Sequence, residues 1–200
     1  MKRYTSDDAL ELVRHAGVVR SRDLEAQGVS RKHLSQLVER GLVDRVARGV
    51  YVAYDAEYTE SHSFAEAAKR VPNGVICLLS ALRYHELTTQ LPREVWIGIG
   101  SKAWAPRESG LTLRVFRYST ATLALGVEHH IIEGVDVAIF DPAKTVVDCF
   151  KYRSKVGFDV ALEALRDCWH SRAATMDEIW RYAEICRMTN VMRPYLESLL

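Results

Sequence analysis

An α+β fold in two parts is predicted for this chain by three features. Three short amphipathic helices and a tight basic hairpin fill residues 1–54, β-branched runs separated by turn residues fill the middle, and the last third is patterned as helices. A length of 200 residues suits one large domain or two small ones and a core built without staples. The division is placed at 1–54 and 55–200, because residues 55–60 (DAEYTE) are acidic and unpatterned.

The first helix opens at Thr5-x-x-Asp8, a capping-box spacing. Ala9, Leu12, Val13 and Ala16 then recur at helical spacing until Gly17 stops it. After the apolar pair Val18-Val19, Ser21 is expected to cap a second helix from Arg22 to Gln27, closed by Gly28. Ser30 caps a third, Arg31 to Arg40, with apolar stripe Leu34, Leu37 and Val38 and Gly41 just past its end. A three-residue turn between the second and third helices is the spacing of a helix-turn-helix. The run LVDRVARGVYVAY follows as two strands, with Gly49 taking the positive φ of the turn, so the segment reads as a winged helix-turn-helix.

Beyond residue 60 the pattern predicts a mixed α/β domain with a small, mainly antiparallel sheet and C-terminal helices. Ser61–Arg70 reads as a helix stopped by Val71-Pro72-Asn73-Gly74, and Val75–Leu87 as a buried helix or strand-helix. Strands are expected at Glu94–Gly100, Leu111–Tyr118, Glu128–Glu133 and Val135–Phe140, the last two joined as a hairpin at Glu133-Gly134. Asp141 caps a helix with Pro142 at its first position, running to about Tyr152. A second follows Gly157 and runs to Trp169, a third starts at Met176, and a short one follows Pro194.

Composition and charge narrow the function. Hydrophobic residues make up 48%, which excludes disordered and fibrous classes. The 12-residue uncharged stretch Val71–Leu82 falls short of a bilayer span, and the charged N-terminus lacks the apolar run of a signal peptide, so a cytoplasmic protein without membrane contact is expected. Cys77, Cys149, Cys168 and Cys186 stand too far apart for a C-x-x-C pair and read as buried thiols. The net charge of +1 hides an asymmetry. Residues 1–54 hold ten Lys and Arg against seven Asp and Glu, and between Arg14 and Arg48 there are eight bases to four acids. A basic surface of this kind holds phosphates even on a neutral protein.

On a helical wheel the third helix turns Lys32, Ser35, Gln36 and Glu39 away from its apolar stripe, with Arg31 at the edge. The N-terminal half of a recognition helix reads base edges, where Arg or Lys suits guanine and Gln suits adenine. Arg31, Lys32, Ser35 and Gln36 are therefore the expected base readers, and Arg22, Arg45 and Arg48 the expected backbone or minor-groove contacts. Partner recognition by the same module without DNA is the alternative.

Enzyme signals are weak, and no catalytic residue, cofactor or metal is expected. None of the common nucleotide, zinc-protease or serine-hydrolase motifs occurs. His129 and His130 are adjacent on a strand and point to opposite faces. Asp136, Asp141 and Lys144 admit a metal-dependent nuclease, yet Asp141 is accounted for as a helix cap and Lys144 as a solvent-facing helix residue. His85 and Cys77 read as core rather than as a base and nucleophile.

Several runs resemble one family. They are Ser30–Leu34 (SRKHL), Arg45–Tyr51 (RVARGVY), Val71–Leu82 (VPNGVICLLSAL) with His85 and Leu87-Thr88-Thr89, Pro142–Asp148 (PAKTVVD) and Arg193–Glu197 (RPYLE). Together they resemble the AbiEi family of antitoxins and transcriptional regulators along nearly the whole chain. The resemblance implies a cytosolic bacterial antitoxin of a type IV toxin-antitoxin system. Its winged helix would repress its own operon at inverted repeats, and its C-terminal domain would counter a nucleotidyltransferase-like toxin without a required stable complex. Glu86 stands where the family pattern leads one to expect a small residue such as glycine.

Overall fold

The computed structural model describes residues 5–55, 59–105 and 110–199, so part of the acidic segment 55–60 lies outside the described residues. Within these the chain runs α1 (Ser6–Ala16), β1 (Val18–Arg20), α2 (Ser21–Ala26), α3 (Arg31–Glu39), β2 (Val43–Ala47), β3 (Val50–Ala53), α4 (His62–Arg70), β4 (Val75–Ile76) and α5 (Leu78–Tyr84). It continues through β5 (Val95–Gly100), β6 (Leu113–Tyr118), α6 (Thr120–Leu123), β7 (Val127–Ile132), β8 (Val135–Phe140), α7 (Pro142–Lys151), α8 (Arg153–Val156), α9 (Phe158–His170), α10 (Met176–Ile185) and α11 (Thr189–Glu197). The architecture is α+β, with N-terminal helices on a small antiparallel sheet and a larger mixed sheet with helices.

Contacts group the chain into two units. The first gathers residues 1–73, 106–112 and 130–137, and the second 74–105, 113–129 and 138–200. Beyond residue 54 the first unit therefore takes in α4 and the tip of the β7–β8 hairpin.

In the first unit β3 is the middle strand of the order β1-β3-β2, antiparallel to both neighbours. The capping box at Thr5 and Asp8 forms as its spacing predicts. Ala9, Leu10, Val13, Leu24, Leu34 and Leu37 bury against Val19, Val43 and Ala53 of the sheet. Two local expectations fail for physical reasons. Ser21 is the first residue of α2 rather than its cap: Arg20, paired in β1, holds the cap position with no side-chain bond, and the Ser21 N–H donates to Gly49 O at 2.9 Å. Val38 is 36% exposed, so the buried stripe of α3 narrows to Leu34 and Leu37.

The hairpin tip and α4 are joined to this core through Glu133. Its carboxylate accepts from Thr59 N and Oγ1 at 2.8 and 2.9 Å and pairs with His62 Nδ1 at 2.6 Å. Gly17 lies against the same residue, and a Cβ there would stand 2.4 Å from Glu133 O, so only glycine fits. Burial pushes the Glu133 carboxyl up, but the bonds from His62 and Thr59 outweigh it and hold the group below its ordinary value.

The second unit corrects the sheet predicted for residues 55–200. Its order is β6-β5-β4-β8-β7, with β5–β6 and β4–β8 parallel and β4–β5 antiparallel, so the sheet is mixed rather than mainly antiparallel. The parallel β5–β6 pair is reached through the connection 101–112, long enough for a crossover, and its sequence carries no helical pattern that would announce one. The last helix also differs. Pro194 lies inside α11 instead of preceding it, past the first turn, so the helix forgoes the one bond its N–H would have donated to the carbonyl four residues back.

α7 packs against α5, α9 and α10 in the core of this unit. Asp141 caps it by accepting from Lys144 N at 2.7 Å and also accepts from Tyr182 Oη at 2.6 Å. Lys144 is fully buried, contrary to the solvent-facing position expected, and pairs with buried Asp148 one turn on. Its ammonium lies 4.2 Å from the Phe140 ring centroid. Burial raises the Asp148 carboxyl above its ordinary value against the pull of Lys144. Glu86 follows α5 with φ +58°, the left-handed conformation that explains why a glycine is expected there.

Two outcomes follow from these interactions. Lys144→Met strands a buried carboxylate and is expected to cost about 3–5 kcal/mol in denaturant unfolding, while Lys144→Met with Asp148→Leu restores most of it. A carboxyl with a depressed folded value stabilises the chain above the ordinary glutamate range, and that contribution disappears as pH falls through the folded value. The advantage of the wild type over Glu133→Gln in urea unfolding is therefore expected to be full at pH 7 and to shrink below about pH 4.

Candidate nucleic-acid interface

Helices α2 and α3 are separated by residues 27–30, and Ser30 caps α3 by accepting from His33 N. The first turn of α3 thus carries Arg31 and Lys32 at a fixed exit from the turn, both exposed. The Arg31 guanidinium is paired with Glu25 of α2, which raises its pKa through the hydrogen bond and then the charge of that carboxylate. Ser35 is exposed one turn further on. Gln36 is half-buried, and its Oε1 accepts from Ser6 Oγ of α1 at 3.2 Å. Among these four, Lys32 and Ser35 present exposed side chains directly, while Arg31 and Gln36 are held by neighbours.

The hairpin supplies the remaining positions. Arg48 and Gly49 form its two-residue turn, Gly49 having φ +73° as predicted. The β2–β3 register shifts between Asp44 and Ala47, so Arg45 and Val46 together oppose Tyr51. A bulge of this kind re-aims the side chains it carries. Arg45 and Arg48 are both exposed. Arg22 lies in the first turn of α2, next to Ser21 and the Ser21 N–Gly49 O bond, and contacts Asp23 at 3.6 Å. It is Ser21, the residue before Arg22, that the structure bonds to the hairpin turn.

Sequence reasoning missed the acids and the hydroxyl that hold these groups. Glu25 stands six residues before Arg31, a spacing that belongs to no single helix face, and Ser6 stands thirty before Gln36. Arg14 is likewise paired, with Glu11 at 2.8 Å and Asp55 at 2.6 Å. It also missed Arg20 and Lys69, which line a crevice of about 180 Å³ with Arg22 and Asp23 in the first unit.

The weaker chemical candidates lie elsewhere. Asp136 falls in the first unit and Asp141 and Lys144 in the second. His85 Nε2 bonds Phe140 O at 2.7 Å, and burial pushes the Cys77 thiol well above its ordinary value. Among the described residues no group of three or more His, Cys, Asp or Glu side chains is placed to hold a metal ion, and no helix is long and apolar enough to cross a membrane.

Residues 7–54 match the sequence model of a family described as "Transcriptional regulator, AbiEi antitoxin". That segment runs from α1 through β3. The fold resembles the crystal structure of the RV2827C protein from Mycobacterium tuberculosis, with a TM-score of 0.60 at 11% identity, over 92% of this chain and 73% of that one. No curated protein matches the chain.

Proposed function

We propose that this chain is a DNA-binding transcriptional regulator that also acts as an antitoxin. The observation that carries the reading is the family match over residues 7–54, because it covers the helices and hairpin that carry the exposed bases. In this reading residues 1–54 are a winged helix-turn-helix that represses its own operon at inverted repeats. Residues 55–200 counter a nucleotidyltransferase-like toxin, with no stable complex required. The protein works in the cytoplasm and carries no enzymatic activity of its own.

The geometry supports a mechanism for the DNA step. α3 lies in the major groove with Arg31, Lys32, Ser35 and Gln36 towards the base edges. Arg31 exchanges the Glu25 carboxylate for a guanine edge or phosphate, at little cost because an exposed ion pair is weak in water. Gln36 keeps its amide N–H groups for an adenine N7 and gives up the Ser6 bond to accept from N6, a net cost of about 0.5–1.5 kcal/mol. Arg22, Arg45 and Arg48 hold the backbone or the minor groove beside it.

A mobility-shift titration on the DNA upstream of the chain's own gene, against a shuffled duplex at two salt concentrations, tests the reading. Preferential and salt-sensitive binding is expected; equal binding to both probes, or none, overturns it and leaves the module to a protein partner. Gln36→Ala is expected to relax preference at one base position by about 1–3 kcal/mol, whereas Arg48→Ala weakens all sequences alike and flattens the salt slope. Equal loss on cognate and shuffled DNA from Gln36→Ala removes it from the base readers.

A further inference from the structure

Besides the third helix and the hairpin, the first unit holds a concave cationic site. Arg20 at the end of β1, Arg22 in α2 and Lys69 in α4 line one crevice of about 180 Å³, with Asp23 and Asp136 on its walls. Lys69 and Arg22 reach the same Asp23 carboxylate, at 3.2 and 3.6 Å. Three cations over two carboxylates leave the crevice positive, and a concave wall strengthens that field.

Arg20 is fixed in place before any ligand arrives. Its Nη2 donates to Arg70 O at 3.2 Å, and its backbone pairs with Val50 in the sheet. Burial, and then the charge of Arg22, lower its pKa, with Asp23 opposing, a disadvantage to the charged form that an added anion relieves. The crevice also adjoins the hairpin turn, because Ser21, between the two arginines, bonds Gly49 O. Lys69 lies beyond the family match at residues 7–54, in a helix that the match does not reach.

We propose that this crevice binds a phosphate group, and that on the DNA-regulator reading, on which this part rests, the group is a backbone phosphate next to the hairpin turn. The phosphate takes over Lys69 and Arg22 from Asp23, while Arg20 forms the floor. Lys69 thereby extends the DNA footprint from the helices and hairpin of residues 7–54 to α4.

The test uses the full chain. Lys69→Gln and Arg22→Gln are each expected to weaken upstream and shuffled duplexes by the same factor, about three- to tenfold at 0.1 M salt, and to lower the slope of log affinity against log salt by about one. Asp23→Asn is expected to tighten both duplexes, because it removes the competing carboxylate. An unchanged affinity and slope in Lys69→Gln, with the wild type binding DNA, overturns the assignment to DNA. The site itself is read without DNA by titrating inorganic phosphate against chloride at matched ionic strength and following the Arg20 and Arg22 Nε–H resonances. A phosphate-specific shift that is lost in Lys69→Gln supports the site, and no such shift overturns it. If the wild type binds no duplex yet the shift persists, the regulator reading fails and the crevice stands as a site for free phosphate groups.

Discussion

The Glu133 carboxylate decides where three segments of the first unit meet. It stands in a turn where Glu133 and Gly134 both have positive φ, a geometry that suits the twist of a two-residue hairpin but costs a non-glycine residue about 1–2 kcal/mol. Hydrogen bonds from Thr59 and His62 offset that strain, and they fix the start of α4. Gly17 lets the end of α1 approach the same carbonyl. With one end of α4 and the hairpin tip fixed together, Lys69 near the other end of α4 and Asp136 on β8 come to line one crevice with Arg20 and Arg22. An electrostatic contact at the β7–β8 turn thus helps shape the crevice that Arg20 and Arg22 line.

How much of this was legible in the sequence depends on the range of the interactions. Thr5 with Asp8, Asp141 with Pro142, and Gly49 in its turn are local devices, and each forms as its spacing says. The Glu133–Gly134 hairpin was legible for the same reason, but not its role, since Thr59 and His62 lie more than seventy residues away. The mixed sheet was misread because pairing direction is set by connections, and residues 101–112 carry no helical pattern to signal a crossover. The positions of Arg22, Arg31, Lys32, Ser35, Gln36, Arg45 and Arg48 on helix and hairpin could be read from periodicity. Their partners could not, because Glu25 and Ser6 belong to other helices.

Lys144 shows the same limit from the opposite side. A lysine and an aspartate four residues apart usually mark a solvated helix face, and here both are buried in the core of the second unit. The two pair inside a single helix, and Asp148 also accepts from Cys186 Sγ at 3.9 Å, so α7 can be covered by its neighbours. Spacing alone does not separate an internal pair from an exposed one, since the difference lies in the elements packed around it, such as the Phe140 and Tyr118 rings near the ammonium.

The cations of the first unit are paired differently, and this bears on selectivity. Arg31 is held by Glu25, Lys69 and Arg22 share Asp23, and all of these contacts join side chains that retain exposure. Exposed pairs are cheap to open, so a phosphate competes with each acid on nearly even terms. On the proposed function, random DNA gains less from such a surface, because the phosphate contacts of Arg22, Arg31 and Lys69 each displace a carboxylate first. A duplex that also satisfies the α3 side chains recovers that cost through base contacts worth about 1–3 kcal/mol each. The near-neutral charge of +1 then works in favour of a regulator: it lowers the non-specific background against which a specific site competes, and leaves discrimination to the few residues on α3.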